Sequence, residues 1–352
     1  MRTVFFLSGA WILGCSALGC SAKGEDPGVP TDGGLDARAD VAAEALVDGG
    51  DDGFVADVPL IETGPPPVER VYANTDQDLW RMDPATKTIT RIGDFVDASG
   101  AALAEPMTDI AVDKSGNLFG NSVGKIFTLK LPAGDTGNVT ATVLVSLPTS
   151  SPRMYALGFA PSGVLGTAEA LIGGDAAGDL YLIPTDGSAP LGVGTFGKVT
   201  ASDPGGGAAG DYWQLSGDIA FFEGTTGPIG LATLRPCTKP ADTATCKNGN
   251  DVLVEIDVTA LGKKSATSNL KKRFIGTSGT GFGRLYGLGA WGGEAFAFQR
   301  FSTSGGATTA LFLSISLVDG KGKVEKDFPT IAAAKNGWSG AGVTTKAKID
   351  LK

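Results

Sequence analysis

Two short patterns alternate five times between residues 68 and 352, and any fold for this chain has to accommodate both. One is an apolar run with a small residue near its centre: Asp109-Ile110-Ala111-Val112, Ala156-Leu157-Gly158-Phe159, Asp218-Ile219-Ala220-Phe221, Gly287-Leu288-Gly289-Ala290 and Gly340-Ala341-Gly342-Val343. The other alternates large apolar with polar residues: Leu79-Trp80-Arg81-Met82-Asp83, Ile126-Phe127-Thr128-Leu129, Leu180-Tyr181-Leu182-Ile183, Leu253-Val254-Glu255-Ile256-Asp257 and Leu311-Phe312-Leu313-Ser314-Ile315. Period-two alternation is the signature of a strand, and a small residue in mid-strand marks close approach of another backbone. Turn sequences such as Asp113-Lys114-Ser115-Gly116-Asn117 and Ala160-Pro161-Ser162-Gly163 separate the runs. After the alternating strand a further turn, as in Asp83-Pro84-Ala85-Thr86-Lys87, leads to a last strand, as in Thr88-Ile89-Thr90-Arg91-Ile92. Each unit therefore contains about four strands.

Repeated four-strand units predict an all-β body. It resembles a β-propeller, and the segments 79–86 and 109–118 look like blade segments of that class. The resemblance implies a ring of radial sheets with the small-centred strands innermost, where Ala111, Gly158, Ala220, Gly289 and Gly342 leave room around the axis. The units are out of register with the termini. The body starts at Arg70-Val71-Tyr72-Ala73 without a small-centred strand and ends on one, at 338–343, without its followers. Together the two ends complete one blade, which predicts ring closure and five blades. A sixth blade within 186–215 or 258–283, and a pair of β-sandwiches, are the competing architectures.

The chain has 352 residues, 53 glycines, 19 prolines and no histidine. The missing histidine removes the usual general base, the Ser-His-Asp and Cys-His arrangements and the commonest zinc ligand. The formal charge of −9 is concentrated in residues 21–67, where eleven acids face only Lys23 and Arg38; residues 68–352 hold 27 acids and 26 bases. A near-neutral body lacks the clustered lysines and arginines that nucleic acid requires. No nucleic-acid partner, metal or cofactor is expected.

Met1-Arg2-Thr3 followed by an apolar run to Leu18 reads as an export signal over residues 1–20. Ala17-Leu18-Gly19-Cys20 and Ile12-Leu13-Gly14-Cys15 both resemble the lipobox of bacterial lipoproteins. Cys20 is preferred as the acylated residue over Cys15, which would leave a short apolar segment of about eleven residues. The resemblance implies a lipid anchor in a bacterial cell envelope, and Ser21 after Cys20 implies the outer membrane. Residues 21–67 are rich in Gly, Asp, Ala and Pro, and predict a disordered acidic tether ending at Pro65-Pro66-Pro67. The Asp-rich runs lack the spacing of a calcium loop.

In an oxidising compartment Cys237 and Cys246, nine residues apart, predict a disulfide that staples a loop. The glycine runs at 205–210 and 276–283 fit no phosphate-loop spacing, and Ser122-Val123-Gly124-Lys125 matches Ser-x-x-Lys by letters alone. A ligand face is expected where loops lead into the innermost strands, at Glu105, Asp109, Arg153, Tyr155, Trp213, Asp218, Arg284, Tyr286 and Trp338. Aromatics beside carboxylates and arginines suit a glycan or a polar peptide. These observations favour a non-catalytic binding or scaffold lipoprotein. The alternative is a carboxylate-based glycoside hydrolase using acids among Glu105, Asp109 and Asp218, which would face each other across an open channel at about 5–10 Å.

Overall fold

The computed structural model describes residues 70–247, 251–277, 283–302, 308–347, 349 and 351. The signal segment with Cys15 and Cys20, and the tether 21–67, lie outside these residues. The body is an all-β propeller. Chain order generates antiparallel meanders: β1 (Val71–Asn74), β2 (Asp78–Asp83) and β3 (Thr88–Val96), then β4 (Asp109–Val112), β5 (Leu118–Asn121), β6 (Lys125–Lys130) and β7 (Val139–Ser146). The third set is β8 (Met154–Ala160), β9 (Ala170–Asp175), β10 (Asp179–Leu182) and β11 (Leu191–Thr195). The fourth is β12 (Tyr212–Phe222), β13 (Ile229–Cys237), β14 (Val252–Ile256) and β15 (Lys271–Thr277), with helix α1 (Val258–Leu261) between its last two strands. The fifth is β16 (Leu285–Trp291), β17 (Glu294–Ser302), β18 (Thr308–Ser316) and β19 (Gly322–Asp327). Helix α2 (Pro329–Lys335) then leads to β20 (Gly340–Val343).

Strand β20 does not extend the fifth set. It pairs antiparallel with β1, Val71 opposite Val343 and Asn74 opposite Gly340, so the last strand completes the first set as its innermost member. The ends of the body meet in one sheet, as the offset of the repeats predicts. The innermost strands β4, β8, β12, β16 and β20 adjoin one another in a closed cycle. The first two sets are also joined at their outer edges, where β3 runs parallel to β7 with Phe95 opposite Val139. Among the described residues, 186–215 and 258–283 supply β11, the start of β12, α1, β15 and loops rather than an additional set.

Alternation along each strand sends side chains into two different cores, because every sheet is packed on both faces. Ile110 and Val112 meet Tyr72, Leu79 and Phe95 of the first set, whereas Ala111 between them faces Met154, Leu157 and Phe159 of the third. The third and fourth sets share Ile172, Leu180, Ile219, Phe221 and Val254. The largest core joins the fourth, fifth and first sets and includes Leu231, Phe296, Phe312, Val71 and Trp338. The mid-strand small residues mark tight contacts between inner strands: a β-carbon on Gly342 would lie 2.8 Å from the Ile110 carbonyl oxygen, and one on Gly158 would lie 3.1 Å from that of Ile219.

Local signals acted where they were expected. The Asp113 carboxylate accepts the N–H groups of Ser115 and Asn117, and Gly116 takes the positive φ of 84° that closes this turn. Asp83 likewise binds the N–H groups of Ala85 and Thr86. Cys237 and Cys246 form a disulfide.

Candidate functional site

Each innermost strand is a sheet edge, so some of its N–H groups face the axis with no ladder partner. Two carboxylates supply what the ladder lacks. Asp109 accepts from Ile110 (2.8 Å) and Ala341 (3.1 Å) through Oδ1 and from Leu157 (2.7 Å) through Oδ2. Asp218 accepts from Ile219 (2.6 Å) through Oδ1 and from Leu288 (2.7 Å) through Oδ2. Ile110, Leu157, Ile219, Leu288 and Ala341 occupy the same position of the repeated pattern, one on each inner strand. Two aspartates thus bind an equivalent N–H from every member of the ring.

The two carboxylates adjoin at the axis, because the main-chain N–H groups they bind belong to one layer of the ring. Both are buried, at 0 % exposure. Loss of solvation pushes both well above the ordinary aspartate range, and for Asp109 the adjoining Asp218 charge adds to the rise. The remaining positions in this layer of the ring are small. Gly340 lies against Asp109, where a β-carbon would collide with the carboxylate, and a β-carbon on Gly287 would lie 2.7 Å from the Gly340 carbonyl carbon. Asp109 and Asp218 therefore do not face each other across an open channel. They fill its centre.

The lower end of the channel is covered by the chain that follows β20. Thr344 bridges to Val112 and donates its hydroxyl to the Asp113 carbonyl (2.8 Å). Thr345 donates its hydroxyl to Glu169, and its carbonyl accepts the Glu223 N–H (2.8 Å). Lys346 pairs with Glu223 at 2.6 Å, and Thr345, Ala347 and Ile349 are buried. These residues strap the second, third and fourth sets together.

The upper end, where the loops enter the inner strands, is polar and partly open. Glu105 is half-buried; it binds the Ser122 hydroxyl at 2.6 Å and Lys125 at 2.5 Å, and the Lys125 contact holds its carboxyl below the usual glutamate range. Arg153 and Tyr155 are exposed at the start of β8. Tyr286 is half-buried at the start of β16, with the Arg300 guanidinium carbon 5.9 Å from its ring centre. Arg284 is half-buried and has a positive φ of 63°, a costly conformation for a residue with a β-carbon. Arg300 pairs with Asp76 at 3.1 Å, and the Ser339 hydroxyl also binds Asp76. Asp76, Asp94, Phe95, Leu103, Glu105 and Pro106 line a cleft of about 430 Å³ on this side.

Two residues expected on the ligand face are core residues instead. Trp213 is fully buried among the third and fourth sets and donates its indole N–H to Asp203 at 3.0 Å. Trp338 is fully buried between the fifth and first sets, edge-on to Trp80, Phe298 and Phe328 at 5.3–5.7 Å. An indole at a strand start contributes more by filling the widening space between sheets than by standing in solvent. Asp109 and Asp218 are also removed from the face by their burial. Glu105, Arg153, Tyr155, Arg284 and Tyr286 remain at the upper end.

The sequence reading missed the side-chain clips that join neighbouring sets. Asn74 donates to the Met107 carbonyl (3.3 Å), Asn121 to that of Met154 (3.0 Å) and Thr233 to that of Leu285 (3.1 Å). Asn74 and Asn121 both end the second strand of a set, a regularity present in the sequence. Among the described residues no group of three or more Cys, Asp or Glu side chains is placed to hold a metal ion.

No protein-family profile matches the chain, and no curated protein matches it in sequence. Solved structures match it at low identity and with TM-scores below 0.5. A protein of unknown function from Bacteroides caccae matches with a TM-score of 0.36 and 10% identity, covering 78% of this chain and 98% of the other. An exo-β-1,3-galactanase from Phanerochaete chrysosporium, solved with galactose, matches with a TM-score of 0.41 and 12% identity, covering 66% of this chain and 52% of the other, so this chain spans about half the galactanase's length.

Proposed function

We propose that the protein is a non-catalytic binding or scaffold lipoprotein of a bacterial cell envelope, anchored through Cys20 and spaced from the membrane by residues 21–67. The observation that carries this reading is the state of the axial acids: Asp109 and Asp218 are buried, in contact, and bound to backbone N–H groups of all five inner strands. A glycosidase needs one carboxyl as acid and another as base or nucleophile on opposite sides of a bound sugar. Carboxyls occupied by the backbone have no face left for one. The ligand surface is then the upper end, where the exposed Tyr155 and Arg153 and the half-buried Tyr286 offer stacking surface and hydrogen-bond donors suited to a glycan or polar peptide.

A second reading has one observation in its favour, the cleft lined by Asp76, Asp94 and Glu105. Against it, a glycosidase general acid needs a raised pKa. Glu105 is shifted downward, first by its bond with Lys125, and Asp76 is paired with Arg300.

A glycan and peptide screen with the full-length protein tests both readings. The binder predicts saturable binding that weakens at least about tenfold in Tyr155→Ala and Arg153→Ala, consistent with loss of about 1.4 kcal/mol or more, with no turnover. Hydrolysis that disappears in Asp76→Asn or Glu105→Gln would replace the proposal with the enzyme. Mass spectrometry of the mature N-terminus tests the anchor. Cys20→Ala should abolish acylation and Cys15→Ala should not; a lipid on Cys15, or on neither, refutes the assignment.

A further inference from the structure

We propose that Asp109 and Asp218 hold one proton between them and that this proton is a structural component of the ring, whose loss at alkaline pH loosens the five inner strands. The geometry places the two carboxyls side by side in one layer of the axis. Both are fully buried, and two adjoining buried carboxyls with no cation beside them do not both ionise, so one keeps its proton. The outward lone pairs of both carboxyls are directed at main-chain N–H groups, so neither can turn away without stranding donors at the axis.

No other charge substitutes for the proton. The inner strands carry no lysine or arginine; beyond the two aspartates their titratable groups are Tyr155, Tyr212 and Tyr286. On the second strands, Tyr72 is on β1, β5 has none, Asp175 is on β9, Arg235 and the disulfide-bonded Cys237 are on β13, and Glu294 and Arg300 are on β17. Asp175 is turned to Ala177, Asp179 and Tyr181, Arg235 faces Asp251, Glu294 pairs with Lys87, and Arg300 is engaged with Asp76. Neither member of the pair therefore meets a cation that would make a doubly ionised state tolerable.

Burial raises the folded-state pKa of both carboxyls. The stability contributed by the shared proton is then complete below the unfolded aspartate value of about 4 and is lost as pH rises through the folded value. The chain has no histidine to mask this dependence. Glu169, Asp175 and Asp251 are also pushed up by burial, and substitutions at the pair leave them in place.

The test is thermal melting of the full-length protein from about pH 5.5 to about pH 9, compared with Asp109→Asn and Asp218→Asn. An asparagine keeps an N–H donor for the partner carboxylate and an oxygen for a main-chain N–H but carries no titrating proton. The wild-type Tm should fall across this range, and the fall should shrink in both variants even if their Tm is lower throughout. A flat wild-type profile, or variants with the wild-type slope, would overturn the proposal. Should neither variant fold, calorimetric unfolding of the wild type at about pH 6 in buffers of different ionisation enthalpy decides: the account requires release of on the order of one proton per chain or more, and no release overturns it.

Discussion

Asp218 meets Ile219 through one carboxylate oxygen and Leu288 through the other, so Asp218→Ala removes the acceptor of two buried N–H groups on different strands. Each orphaned donor costs about 1–3 kcal/mol, and the unfolding free energy from urea titration should fall by roughly the sum, about 2–6 kcal/mol, lowering the midpoint accordingly. The complementary change adds bulk. Gly340→Ala drives a methyl group into the Asp109 carboxylate and should destabilise by about 1–3 kcal/mol, the usual range for overpacking. Gly124→Ala, with no atom within 4 Å of the added carbon, is the matched control and should stay within about 0.5 kcal/mol of wild type. The two aspartates illustrate what a linear reading can and cannot supply. Their letters are legible, each opening a small-centred strand, and so is their suitability for binding backbone. Their mutual contact is not, because they lie 109 positions apart in the chain and only the closed ring brings them together.

At the scale of elements, the seam between the fifth and first sets is where the chain ends are joined. Trp338 fills it, edge-on to Trp80, Phe298 and Phe328, and Trp338→Ala should cost about 3–5 kcal/mol as a large-to-small core change. Outside this core Lys87 of the first set meets Glu294 at 3.0 Å and Glu325 at 3.1 Å on the fifth. The Ser314 hydroxyl, then Lys87 and Lys323, hold Glu325 down to about 2. Its folded pKa is depressed, so the stability it contributes is present above the ordinary glutamate value and is lost as pH falls toward about 2. Lys87→Met should therefore move the acid unfolding transition, followed by tryptophan fluorescence, to higher pH; an unmoved midpoint would show that the seam ion pairs contribute nothing. The strands and turns of this region were legible because they are encoded locally, in the alternation of 79–83 and in Asp83-Pro84-Ala85-Thr86. The role of Trp338 was not. An aromatic at a strand start has the same local pattern whether it faces a channel or a neighbouring sheet, and only the angle between the fifth and first sets decides.

The described body is a ring held at three levels. The β20–β1 pairing closes the first set, the Asp109–Asp218 hub ties the inner strands at the axis, and residues 344–346 strap the lower end to Asp113, Glu169 and Glu223. Closure was legible from the offset between the repeats and the termini. The strap was not, since Thr344-Thr345-Lys346-Ala347 has no strand period and acts through contacts with three distant turns. The last segment of the chain thus contributes to the first set, to the seam core through Trp338, and to the lower end. The measurement that tests this most directly is thermal melting of the full-length protein against a chain ending at Lys335. Exposed tails tolerate removal with effects within about 0.5 kcal/mol, whereas a strand that pairs both ends of the ring should not. The shorter chain should lose its cooperative transition or melt at a strongly lowered temperature; an unchanged transition would contradict ring closure.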